Sequence, residues 1–105
     1  MKALWYSVST IMKIPMLEIN IPLFIIREGK AFVAYTPALD LSTAGKTRKE
    51  AEKRFSQAVQ IFFEETIKRG TLASALLDLG WQKTNRVWMP PIVVSNEMKS
   101  LTLHA

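Results

Sequence analysis

Between Leu17 and Tyr35 the chain reads "LEINIPLFIIREGKAFVAY", in which Leu17, Ile19, Ile21, Leu23 and Ile25 fall on every second position. That period predicts a strand with these residues on one face. Glu28-Gly29 separates the run from Ala31–Tyr35, and the pair predicts a hairpin. Pro22 offers no amide to a ladder, so the first strand is expected at a sheet edge or beside a bulge. Pro37 should close the second strand, residues 39–44 add a short third one, and Gly45 supply the next turn.

From Thr47 the period lengthens. Ala51, Phe55, Ala58, Val59, Phe62 and Thr66 recur at steps of three and four, the stripe of an amphipathic helix running to about Arg69. Thr47 and Glu50 form a capping box, and Gly70 with Lys68 and Arg69 before it marks the helix end. Thr71 is placed to cap a second, short helix through Leu72, Ala75, Leu76 and Leu79, stopped by Gly80. Residues 81–89 alternate weakly as a further strand, Pro90-Pro91 breaks it, and residues 92–105 read either as a last strand or as a flexible arm. The predicted fold is a single α+β domain over residues 1–105: a three- to four-stranded antiparallel sheet, one long helix on one face, and a short second helix, in the order β-β-β-α-α-β.

The two hairpin strands carry apolar residues on both faces. Ile19, Ile21, Leu23, Ile25, Phe32 and Ala34 face one way; Phe24, Ile26, Val33 and Tyr35 face the other. A sheet with one solvated face should be polar there, and a single long helix covers only one side. Either the chain's own ends cover the second side, with Trp5, Tyr6, Trp88 and the tail available, or another subunit does. The reading favours a homodimer or higher homo-oligomer, with Phe24, Ile26, Val33 and Tyr35 as interface residues.

Composition changes this picture little. At 105 residues, 49% hydrophobic and 22% charged, the chain is the size and make-up of one globular domain. No apolar run approaches the roughly 18–20 residues of a membrane span, and the first sixteen residues lack the pattern of a signal peptide. The absence of cysteine excludes disulfides and thiolate chemistry and fits a cytoplasmic location.

Charge adds a second candidate surface. Fourteen basic against nine acidic residues leave +5, which suits acidic partners. Lys46, Arg48, Lys49, Lys53 and Arg54 crowd the helix start, where positive charge opposes the dipole, so they are candidates for contact with an anion or an acidic partner. Without interleaved aromatics they do not make a nucleic-acid motif, and nucleic acid is the alternative rather than the leading partner. Glu50–Arg54, Glu64–Lys68 and Glu65–Arg69 are spaced as stabilising pairs on a solvated helix face.

No catalytic constellation is expected. His104 is the single histidine and stands without neighbouring ligands, while Asp40 and Asp78 are too few for a magnesium site of the ribonuclease-H kind. Neither cofactor nor metal is expected. Trp81 and Trp88 read as core or interface anchors.

Taken in order, "AFVAYTPALDLSTAGKTRKEAEKRF" resembles the HicB-like antitoxin family, with Pro37, Leu39, Gly45, Thr47, Glu50 and Ala51 in the matching places. The following "FFEETIKRGTLASALLDLGWQ" is similar to a subgroup that ends in Leu-Gly-Trp, here Leu79-Gly80-Trp81, so the likeness covers about residues 18–83. The resemblance implies a partial ribonuclease-H-like α+β domain, often oligomeric and not an enzyme. The expected partner is a small HicA-like, mRNA-cleaving toxin whose active site the antitoxin covers; the alternative is an orphan relative without a toxin. Many members append a C-terminal DNA-binding domain; here the residues after Trp81, split by Pro90-Pro91, are too few for a helix-turn-helix.

Overall fold

The computed structural model describes residues 19–104, so Leu17, Trp5 and Tyr6 lie outside the described residues. Three strands come first: β1 (Phe24–Glu28), β2 (Ala31–Thr36) and β3 (Leu41–Gly45). They pair antiparallel in the order β1-β2-β3, a meander in which sequence neighbours are spatial neighbours. The long helix α1 (Arg48–Arg69) and the short α2 (Leu72–Asp78) follow. A separate two-stranded hairpin, β4 (Gln82–Thr84) and β5 (Val87–Met89), comes last. The α+β class and the sheet–long helix–short helix order are as the pattern predicts.

Several boundaries differ from the expectation. The first strand begins only at Phe24; Ile19, Ile21 and Leu23 precede it, and Ile19 and Leu23 are exposed. β1 is an edge strand, as expected, but Pro22 sits just outside the ladder, so its missing amide is not the cause. Gly29 and Lys30 alone connect Glu28 to its partner Ala31, a two-residue turn. Residues 37–40 form a turn instead of opening the third strand, with Asp40 at φ +48° and the Ala38 amide donating to Thr36 Oγ1 at 3.2 Å. The weak strand expected over residues 81–89 is two strands around Asn85-Arg86, both at positive φ, and they form a sheet of their own. Residues 92–104 take no regular structure.

The register sorts the side chains cleanly. Ile25, Ala34 and Thr43 lie in one cross-strand row, and Arg27, Phe32 and Gly45 in another, both beneath α1. Ala34, Ala51 and Phe55 are buried there, with Ile21, Ile25, Phe32, Leu41 and Val59 around them. A second cluster joins the 37–40 turn to α2: Ala38, Leu39, Leu76 and Trp81 are buried, flanked by Phe62, Phe63, Leu72, Leu79 and Trp88. Full burial of a side chain such as Leu76 stabilises by about 1.5–3 kcal/mol. Ile21, Leu41 and Val59 belong to both clusters and weld them together.

Two glycines set the geometry of the joints. Gly45 is the last residue of β3, buried under the helix start; a Cβ there would stand 2.7 Å from the Ala51 amide nitrogen and 3.0 Å from Glu50 Cβ. It is needed for close approach of the helix, not for the turn that the sequence suggests. Gly80, at φ +93°, lets the chain reverse after α2: its amide donates to the Leu77 carbonyl and that of Trp81 to the Leu76 carbonyl, a Schellman closure. The reversal swings Trp81 back into the core, where Nε1 donates to the Ala38 carbonyl at 2.7 Å.

Candidate functional site

The face of the sheet opposite α1 is built from two rows. Phe24 stands against Tyr35 and Ser42, and Ile26 against Val33 and Ala44. The alternation of β1 and β2 puts these side chains on one side by necessity, because their neighbours Ile25, Phe32 and Ala34 point under the helix. The four residues expected as an interface are thus brought together. Phe24, Val33 and Tyr35 are half-buried and Ile26 is 41% exposed, and none of the four joins either core cluster. Ala44 extends the apolar strip, which sequence pattern alone did not assign.

Polar groups border it. Ser42 and Glu28 are exposed at its sides, and Tyr35 Oη donates to Asp40 Oδ1 at 3.2 Å. Partial burial, then this hydrogen bond and the Asp40 charge, raise the Tyr35 phenol above the usual tyrosine range.

The basic residues are less uniform than their spacing suggests. Thr47 caps α1 by accepting the Glu50 amide at 3.0 Å, and the Glu50 carboxylate accepts the Lys46 amide at 2.6 Å, one residue earlier than a capping box requires. Arg54 donates to the Ala44 carbonyl at 2.8 Å and to Glu50 at 3.3 Å, tying the helix to the end of β3. Arg48 pairs with Glu52 at 2.8 Å, a base-first pair that the sequence reading omitted. Among the described residues, Lys46, Lys49 and Lys53 make no ion pair and are exposed. Of the expected helix pairs, Glu65–Arg69 forms at 3.4 Å, whereas Glu64 instead accepts from Gln60 Nε2 at 2.8 Å. Lys30, in the turn next to the Phe32–Gly45 row, stands at the same end of the sheet as Lys46.

His104 is exposed near the end of the 92–104 segment, Asp40 is engaged with Tyr35, and Asp78 is the exposed last residue of α2. Among the described residues no three His, Asp or Glu side chains gather closely enough to share a metal ion. A shallow hollow on α1, lined by Ser56, Gln57, Gln60 and Ile61, carries no ionisable group. No helix among the described residues is long and apolar enough to cross a membrane.

Comparison with known proteins finds no family model, no curated protein and no solved structure that matches the chain.

Proposed function

We propose that this chain is a non-catalytic interaction module of the HicB-like kind, which pairs with a second copy through its open sheet face. As an assembled antitoxin, it would cover the active site of a small mRNA-cleaving toxin. The observation that carries the proposal is the strip of Phe24, Ile26, Val33, Tyr35 and Ala44, apolar and outside both core clusters. Such a strip has a cost in water and a benefit only when another surface closes on it. Steric occlusion needs no catalytic group, only a rigid shape, and α1 with Trp81 supplies the rigidity.

The test uses a small double-stranded-RNA-binding-like product encoded beside this chain. Its cleavage of mRNA should stop at stoichiometric addition of this protein. The Val33→Glu variant, which puts charge in the middle of the strip, should protect poorly. Undiminished cleavage with the parent chain in excess would overturn the antitoxin role; where no such product is encoded the chain is an orphan relative, and the proposal then stands or falls on self-association through the strip, which Val33→Glu should abolish.

A second reading rests on the other surface. From Arg27 to Arg54 stand seven basic and four acidic residues, an excess of three out of the chain's five. This end of the domain suits a nucleic-acid backbone, with Lys46, Lys49 and Lys53 as the free cations among the described residues. Binding that falls steeply with salt, and that Lys49→Glu with Lys53→Glu abolishes, would favour it over the first.

A further inference from the structure

Among the described residues, 92–104 make a second exposed apolar surface. Ile92, Val94, Met98, Leu101 and Leu103 are each 74–100% exposed, an unusual state for so many large apolar side chains in one segment. Ile92 and Val94 form one pair two apart and Leu101 and Leu103 another, so each end of the extended segment sends two aliphatic side chains to one side. Among the described residues, no backbone hydrogen bond ties this segment to the rest of the domain. Pro90 and Pro91 end β5 and stiffen the departure, since neither can donate to a ladder.

We infer that residues 92–104 form an exchanged arm that lies on the open sheet face of a second copy, while that copy's arm lies on the first. The inference rests on the reading that a second copy meets this face, and it names the segment that makes the contact. Length permits it. Thirteen extended residues span about 43 Å, whereas a five-residue strand such as β1 spans roughly 17 Å. Chemistry matches as well: each end of the arm offers a pair of aliphatic side chains two apart, and the face offers two rows, Phe24–Tyr35 and Ile26–Val33, with polar borders. Reciprocity closes the assembly. Each copy owns one arm and one face, so a two-fold exchange satisfies both surfaces of both copies and leaves no free end to propagate.

The chain contains no cysteine, so one introduced thiol gives a single labelling site. Val94→Cys carrying a nitroxide, mixed with the thiol-free parent chain enriched in ¹⁵N, should broaden the amide signals of Phe24, Ile26, Val33 and Tyr35 in the parent copy. A Val94→Asp/Leu101→Asp variant changes only exposed positions, so its fold should be retained while dimerisation weakens by about 100-fold in light scattering. Broadening confined to other elements, or none at concentrations where the parent is dimeric, overturns the exchange and leaves the face reading intact. A parent chain that stays monomeric throughout overturns both.

Discussion

Replacing Trp81 with phenylalanine tests the account of the second core cluster. The indole is 4% exposed, and its Nε1–H reaches the carbonyl of Ala38, itself fully buried, across 43 residues of sequence. Phenylalanine keeps the aromatic ring that packs on Leu76 and Leu39 but has no donor. The Ala38 carbonyl then loses this partner in a dry site, which costs about 1–3 kcal/mol. The smaller ring leaves a void beside Leu79 and Phe63 worth a further kcal/mol or so. The sum is roughly 2–4 kcal/mol, a large share of the 5–15 kcal/mol typical of a domain. At about 4–8 °C per kcal/mol for a chain of this size, Tm should fall by roughly 10–25 °C. Far-ultraviolet circular dichroism reads it, since α1 dominates that signal and the measurement does not depend on indole fluorescence. Trp88→Phe is the control: that ring is half-buried on the small hairpin, 5.6 Å from the Lys83 ammonium, and its loss should cost under about 1 kcal/mol. If Trp81→Phe melts within about 3 °C of the parent, or no lower than Trp88→Phe, the indole–carbonyl bond does not hold the 37–40 turn to α2.

Gly45→Ala should lower the urea midpoint without changing m, by an amount equal to about 1–3 kcal/mol, because the new methyl would stand 2.7 Å from the Ala51 nitrogen and the helix start must lift. An unchanged midpoint would mean that the joint yields freely. The Tyr35 phenol gives a prediction in pH. Its folded pKa is raised, so its contribution is complete below the unfolded value near 10 and is lost as pH climbs through the folded value. Denaturant titrations above about pH 10 should therefore show stability falling with pH, and Tyr35→Phe should flatten that decline. An equal slope in the two proteins would refute the assignment.

What sequence could and could not announce follows from range. The helix α1 was legible because its signals are local: Thr47 and Glu50 at one end, Gly70 at the other, and a stripe between them. The open face was legible because apolar residues occupy both phases of β1 and β2, a pattern that needs no knowledge of neighbours. The early start given to the first strand failed because Ile19, Ile21 and Leu23 alternate while lying outside the ladder, with only Ile21 reaching the clusters. The β4–β5 hairpin was missed because three-residue strands are too short for alternation to register. Its turn, Asn85-Arg86, also holds two positive φ angles without the glycine that usually announces them. Gly45 looked like any turn glycine, since the helix backbone above it is visible only in three dimensions. Within the basic cluster, spacing alone did not separate Arg48 and Arg54, which hold Glu52, Glu50 and the Ala44 carbonyl, from Lys46, Lys49 and Lys53, which make no ion pair among the described residues.

The meander order bears on how the molecule is made. As the nascent chain leaves the ribosome, the sheet and the first turns of α1 can close around Ala34, Ala51 and Phe55, with every required residue in hand by Val59. Ala38 and Leu39 must wait for Leu76 and Trp81, so the half-finished domain carries an unsealed seam until those residues arrive. Chaperone capture during synthesis would concentrate in that interval, and the late indole acts as the latch that ends it.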